Sequence, residues 1–177
     1  MKLHAALALA LSAAAAPAVS QTPPPRPPVE AMTKAMPYVV AAAMSDLYEI
    51  NSSRIALEKS QNPKVRLFAS MLIKDHTSLT AATMKAAQRA GVTAPPSVMD
   101  AGTTASIAEL QNASAADFDR LYLGQQIPAH RTAFELHSYY SNAGDQRVLR
   151  ENAKKAISRI GRHLDMAIGL QKGLARS

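Results

Sequence analysis

The chain has 177 residues, of which 47% are hydrophobic and 5% aromatic, with no Trp, no Cys and a formal net charge of +7. This length fits one domain, and few aromatic residues among many alanines favour helices with small-residue contacts over β-sheets. The absence of Cys excludes disulfides and thiol nucleophiles, and the scattered Lys and Arg residues indicate a solvated basic surface rather than a nucleic-acid site.

Residues 1–20 have the pattern of a secretory signal peptide. A basic start at Lys2 precedes an apolar run of about a dozen residues, and small residues lead to an expected cleavage after Ser20. The run is shorter than the roughly 20 residues that span a bilayer, and no other run approaches that length. We therefore expect a mature protein without a transmembrane segment, located in the periplasm or secreted.

Residues 21–35 are expected to form a disordered tether, because prolines dominate its first half and favour an extended polyproline conformation. Apolar residues at helical spacing then predict four long helices and a short one in the second connection. The expected helices span about 37–61, 63–90, 103–110, 114–142 and 145–172.

The ends of these helices have recognisable signals. Asn62 can cap the second long helix, with Pro63 at its first position, and Gly91 can end it. Short first and third connections between the long helices predict an all-α, up-down-up-down four-helix bundle over residues 36–172. Residues 173–177 are expected to be a disordered tail.

Ionisable residues interrupt the apolar seam of the second long helix. Apolar residues recur there at steps of three or four, and this spacing places Asp75 within the seam and His76 at its edge. Such a pair is costly to bury unless other groups satisfy it.

The helix rise predicts two polar layers, if both short turns lie at the same end of the bundle. The upper layer, roughly 20 Å from the turns at a rise of about 1.5 Å per residue, contains Glu49, Asp75, His76 and His130. The lower layer, roughly 28 Å from the turns on the same basis, contains His163, Tyr122 and Asp119.

Five short motifs spread over about residues 36–170 support a family assignment. They are Glu49, Asn62-Pro63 with the following Lys-Val-Arg-Leu-Phe-Ala, Lys74-Asp75-His76, Phe118 to Tyr122 followed by His130, and Arg162-His163-Leu164. In this order they resemble a family of exported bacterial proteins catalogued as domain of unknown function 4142 (DUF4142) and described as ferritin-like bundles. The resemblance implies that fold and export, and it implies no settled activity.

The layers do not fit a carboxylate-bridged di-iron centre. Such a centre needs about four carboxylates and two Glu-x-x-His pairs, whereas the residues three before His130 and His163 are Ile127 and Ile160. The spacing therefore disfavours a ferroxidase.

Three interpretations of function remain. The leading one is a binding or structural protein without enzymatic activity or a cofactor, in which the polar layer fixes the helix register. The alternative is a metal-binding or redox-stress protein with one zinc, iron or manganese ion held by His76 and His130 with Glu49 or Asp75. The third is a module that contacts the cell envelope or an anionic surface through the Pro-rich arm and basic charge.

Overall fold

The computed structural model describes residues 27–176, so the predicted signal peptide, residues 21–26 of the predicted tether and Ser177 lie outside the described residues. The described part consists of helices without strands, which confirms the all-α prediction. A short 3₁₀ helix at Val29–Met32 precedes α1 (Ala35–Lys59), α2 (Pro63–Arg89), α3 (Ala101–Asn112), α4 (Phe118–Ala143) and α5 (Arg147–Leu174). No helix in residues 27–176 has the length and apolar character that a membrane span requires.

The predicted start and end of α2 agree with the structure. The Asn62 side chain accepts a hydrogen bond from the Lys64 backbone N–H at 3.0 Å, and Pro63 occupies the first position of the helix. Gly91 follows the helix with a φ of 69°, the left-handed conformation in which glycine is favoured. These local signals fix where α2 lies along the chain.

The directions of the long helices differ from the expected up-down-up-down order. Near the start of α1, the Tyr38 hydroxyl lies 2.9 Å from His137 Nδ1 near the end of α4. Near the end of α1, the Ser53 hydroxyl lies 2.8 Å from the Tyr122 hydroxyl near the start of α4. α1 and α4 are therefore antiparallel, whereas the up-down-up-down order requires them to be parallel.

α2 and α5 are antiparallel as well, since Asp75 bonds His163 while Thr83, later in α2, bonds Asn152, earlier in α5. The α1–α2 and α4–α5 turns consequently lie at opposite ends of the bundle. The expectation was wrong because residues 90–117, which include α3, are long enough to carry the chain back along the bundle to the start of α4. α3 packs against α1 and α4 on this path.

The tether and tail predictions were wrong at the ends that adjoin the helices. Ala31 is fully buried, and the Asp145 backbone N–H donates to the Thr33 carbonyl at 2.9 Å. The small Ala31 side chain allows this segment to pack closely against the helices, so the ordered part begins before residue 36. At the other end, α5 continues to Leu174.

Two apolar clusters enclose the middle of the bundle. One surrounds the α1–α2 turn end and includes Phe68, Leu72 and Tyr122. The other lies at the α4–α5 turn end and includes Tyr38 and Leu149. The buried residues His76, His130 and His163 lie between these clusters.

Candidate metal centre

Three histidines from three helices meet at the middle of the bundle. The ring centroids of His76 (α2), His130 (α4) and His163 (α5) are 5.5, 5.2 and 5.4 Å apart, and none of the three residues is more than 1% exposed. One ring nitrogen from each lies within 4.8 Å of the other two. We call these three residues the histidine layer.

His163 was expected one level lower, beside Tyr122, and that expectation was wrong because α4 and α5 run opposite to the assumed directions. His130 is twelve residues from the start of α4 and thirteen from its end, so reversing the helix leaves its level unchanged. His163 is sixteen residues from the start of α5 but eleven from its end. Reversal therefore brings His163 to the level of His76 and His130.

The orientation of His76 is fixed by an acceptor on α1. Its Nδ1 lies 2.7 Å from Asp46 Oδ1, and the other carboxylate oxygen of Asp46 accepts from the Thr80 hydroxyl at 2.8 Å. An ionised carboxylate only accepts hydrogen bonds. His76 Nδ1 therefore carries the proton, and in the neutral ring Nε2 carries the lone pair.

The other two rings are held in the same manner. His163 Nε2 donates to Asp75 Oδ2 at 2.9 Å, and His130 Nδ1 donates to the backbone carbonyl of Gln126 at 2.9 Å. Hydrogen bonds of this kind to the second ring nitrogen set the tautomer and orientation of metal-binding histidines.

The remaining ring nitrogens have no hydrogen-bond partner in residues 27–176. His76 Nε2, His130 Nε2 and His163 Nδ1 are buried and make no hydrogen bond to any described residue. Since the other nitrogen of each ring is a donor, all three available atoms are lone-pair donors in the neutral state. Three such atoms can bind one ion.

Glu49 lies beside the histidine layer. Its side chain is fully buried, its Oε1 is 3.4 Å from His130 Nδ1, and neither carboxylate oxygen makes a hydrogen bond within the described part of the chain. Burial raises the pKa of Glu49 to about 8, although the charge of His76 opposes this change. A cation in the layer would favour the ionised carboxylate.

The buried environment keeps two of the three rings neutral. Burial, together with the charge of His76, holds the pKa of His130 well below its usual value. Burial lowers the pKa of His163 to about 4 despite its bond to Asp75. For His76 burial acts in the same direction, but the hydrogen bond to Asp46 and the charge of Glu49 outweigh it and raise the pKa.

The structure separates the predicted site residues into two groups. Glu49, His76 and His130 come together as expected. Asp75 is not in the core seam, because its side chain is 25% exposed while the adjacent His76 is buried. Asp75 accepts the hydrogen bond of His163 at the solvent-facing edge of the histidine layer.

Tyr122 and Asp119 lie outside the histidine layer. Tyr122 is buried and pairs with Ser53. Asp119 is partly buried, with one carboxylate oxygen that has no partner among the described residues. The predicted lower layer that would have joined them to His163 does not form.

The roles of Asp46 and Gln126 as hydrogen-bond acceptors for the histidine layer were not predicted from the sequence. Asp46 is three residues before Glu49 and therefore on the same face of α1, so the Asp-x-x-Glu spacing was a usable signal. Gln126 acts through its backbone carbonyl, four residues before His130, and side-chain chemistry carries no signal for that role.

Most of the sequence matches a known protein family. Residues 8–170 match the family described as Domain of unknown function (DUF4142). The chain belongs to the DUF4142 family. No curated protein sequence matches it.

Two solved structures resemble this DUF4142 protein. One is described as CopM in the Cu(I)-bound form, with 18% sequence identity and a TM-score of 0.66. The other is CopM in the Cu(II)-bound form, with 16% identity and a TM-score of 0.68. Each comparison covers 80% of this chain and 97% of the other chain. At these identities the likeness shows a shared fold.

Proposed function

We propose that this DUF4142 protein binds one transition-metal ion in the histidine layer, with Glu49 beside the ion. One observation carries the proposal. Three buried imidazole nitrogens lie within 4.8 Å of one another without a hydrogen-bond partner among the described residues, and the other nitrogen of each ring is held by an acceptor. This is the arrangement of donor atoms and supporting hydrogen bonds that a metal site requires.

A purely structural layer explains less of this geometry. The bonds from His76 to Asp46 and from His163 to Asp75 link α1 to α2 and α2 to α5, so they do fix the helix register. Within the part of the chain that the structure describes, they leave three ring nitrogens and both oxygens of Glu49 without a hydrogen-bond partner. An unsatisfied buried polar atom costs about 1–3 kcal/mol, and a bound ion would remove most of that cost.

Copper is the ion that we propose first. Imidazole suits copper, zinc, iron and nickel, and among divalent first-row ions Cu²⁺ binds a given site most tightly. The shared fold with copper-bound CopM supports the same choice. Zinc is second, because three histidines with one further position are a known zinc arrangement.

The earlier choices of iron and manganese have weaker support. A manganese ion prefers oxygen ligands. Among the described carboxylates beside the histidine layer, Asp46 and Asp75 already accept hydrogen bonds from histidines, which leaves Glu49 as an oxygen ligand. A ferritin-type di-iron centre needs about four carboxylates. We therefore infer a binding role without ferroxidase activity.

We further infer a ferritin-like four-helix fold and export. Ferritin-like folds have one long crossover connection, and the path from α2 through α3 to α4 is a connection of that type. Export to the periplasm rests on the signal-peptide pattern of residues 1–20 and on the family resemblance. We therefore propose that this protein is an exported helical bundle that binds a metal ion.

A competition titration tests the proposed function. Chelator-stripped protein is titrated with Cu(I), Cu(II) and Zn(II) against a chromophoric chelator, as wild type, His130→Gln and His137→Gln. His137 is a matched control, because it is a buried histidine of α4 outside the histidine layer. We expect one ion per chain and an affinity loss on the order of 100-fold in His130→Gln, with little change in His137→Gln. Absence of binding, or equal losses in both variants, would overturn the proposal.

A further inference from the structure

We propose that the ion reaches the histidine layer through the seam between α2 and α5, and that Met71 and Met166 form an outer thioether site for Cu(I) at the solvent edge of this seam. The inference rests on the proposed function, because it concerns how that site is loaded. The inference is argued from the exposure of Asp75 and from the register of α2 and α5.

Of the three groups that accept hydrogen bonds from the histidine layer, Asp75 is the most exposed. Its side chain is 25% exposed, whereas the side chain of Asp46, which holds His76, is 7% exposed. The third acceptor, the carbonyl of Gln126, belongs to a fully buried residue. The His163–Asp75 bond is consequently the one of the three that solvent can reach, and it joins α2 to α5.

Both methionines flank this bond. Met71 is four residues before Asp75 on α2, so these two residues share a face of α2. Met166 is three residues after His163 on α5, so these two residues share a face of α5. Because the two helices are antiparallel, both methionines lie on the same side of the bond. At a rise of about 1.5 Å per residue, Met71 lies roughly 6 Å from Asp75 along α2 and Met166 roughly 4.5 Å from His163 along α5. The two methionines are therefore at nearly the same level of the bundle.

The exposure of the methionines fits a surface site. Met166 is 42% exposed, and Met71 is partly buried against the neighbouring apolar cluster. Thioether sulfur is a soft, neutral ligand that selects Cu(I). Two such ligands at one level of a seam can hold the ion before it passes the Asp75–His163 pair.

The ligand type favours Cu(I) over Zn(II) at the outer site. Zn²⁺ is bound in proteins by imidazole, thiolate and carboxylate groups, whereas thioether sulfur is a soft ligand that selects Cu(I). The outer site should therefore speed the loading of Cu(I) and leave the loading of Zn(II) unchanged.

The kinetic test compares two sets of methionine variants. Loading of chelator-stripped protein by a Cu(I)–chelator complex is followed by stopped flow for wild type, for Met71→Leu with Met166→Leu, and for Met36→Leu. Met36 is a matched control, since it is 40% exposed and lies at the start of α1, away from the seam. We expect the double variant to load at least about tenfold more slowly, with the final stoichiometry and the rate of Zn(II) loading unchanged. An unchanged Cu(I) rate, or equal slowing in Met36→Leu, would overturn the inference.

A second measurement separates this inference from the proposed function. Protein with ¹³C-labelled methionine methyl groups is titrated with Ag(I), a redox-inert substitute for Cu(I), and observed by NMR. The inference predicts shifts of the Met71 and Met166 methyl resonances without a shift of Met36. If these shifts occur in a protein whose histidine layer binds no ion, the proposed function fails and the outer site stands. If the layer binds its ion and the two methyl groups do not respond, the outer site fails alone.

Discussion

The Asp46 carboxylate accepts hydrogen bonds from two side chains of α2 and lies next to the proposed metal ligand His76. Its Oδ1 accepts from His76, and its Oδ2 accepts from Thr80. Both oxygens are therefore used, and the His76 ring is held with its Nε2 in the histidine layer. The same carboxylate supplies negative charge to the imidazole that would bind the ion.

Replacement of Asp46 by Asn is predicted to weaken ion binding without removing a ligand. An amide has one acceptor oxygen, so the substituted side chain cannot accept from both His76 and Thr80, and the ring loses its charged partner. We expect a loss of about 10–100-fold in metal affinity, measured by the competition titration. Asp165→Asn, at an exposed position of α5, is the control and should bind as wild type. Unchanged affinity in Asp46→Asn would show that this hydrogen bond does not support the site.

The Glu49 contribution to the stability of the ion-free protein is predicted to fall as pH rises from 4.5 to about 8. Its pKa is about 8 in the folded state and 4.5 ordinarily, so between these values the folded chain retains a proton that the unfolded chain has lost. The stabilisation by this group is present at low pH and is lost as pH rises through about 8. The raised pKa of His76 acts in the same direction above its ordinary value of 6.5.

Three other histidines act in the opposite direction at lower pH. The pKa of His130 lies well below its ordinary value and the pKa values of His163 and His137 are about 4, so between about 4 and 6.5 the unfolded chain binds more protons and stability rises with pH. We therefore expect maximum stability near pH 6.5, measured as denaturation midpoints at about pH 5, 6.5 and 8. Glu49→Gln should flatten the decline above pH 6.5. An equally steep decline in that variant would contradict the assignment to Glu49.

At the scale of single residues, the sequence predicted the chemistry of the layer better than its geometry. Glu49, His76 and His130 stood out because ionisable groups on apolar faces need partners. The sequence did not determine whether Asp75 or His76 lies in the apolar seam of α2. A step of three residues from Leu72 reaches Asp75, and a step of four reaches His76. With 3.6 residues per turn both steps are allowed, and the neighbouring helices decide.

The elements themselves were well predicted where the chain carries explicit end signals. Asn62, Pro63 and Gly91 bound α2 as expected. The start of α4 was placed four residues early, at Ser114. Ser114 and Asp117 do bond each other, but they form a turn before the helix begins at Phe118.

Loss of the α2 cap is predicted to lower stability modestly. Asn62→Ala removes the acceptor for the Lys64 N–H. We expect a loss of about 1 kcal/mol in the free energy of unfolding, measured by chemical denaturation of ion-free protein. Lys34→Ala is a suitable control, because Lys34 precedes α1 without a side-chain capping bond. A midpoint equal to that of the control would show that the cap contributes nothing measurable.

Helix direction was the element-scale property that the sequence did not determine. A short connection forces antiparallel neighbours, and this rule correctly paired α1 with α2 and α4 with α5. Residues 90–117 impose no such constraint, so the second pair could be placed in either direction relative to the first. The assumed direction of α4 and α5 is the reason why His163 was predicted in the lower layer and not beside His76 and His130.

For the whole molecule, the histidine layer connects three of the four long helices at their middles. His76, His130 and His163 come from α2, α4 and α5, while Glu49 and Asp46 contribute from α1. An ion bound by all three histidines would stabilise the folded state by mass action, because the unfolded chain does not hold these residues together. Recognition of this site requires the directions of all four helices, which is why local sequence patterns did not reveal it.

X-ray absorption spectroscopy of the protein loaded with one equivalent of copper tests the three-histidine site most directly. The spectrum reports the number and type of atoms bound to the ion. We predict scattering from three imidazole rings with nitrogen atoms at about 2.0 Å, reduced to two rings in His163→Gln and unchanged in His137→Gln. A first shell dominated by sulfur, or a spectrum that is the same in wild type and His163→Gln, would contradict the assignment of the ion to His76, His130 and His163.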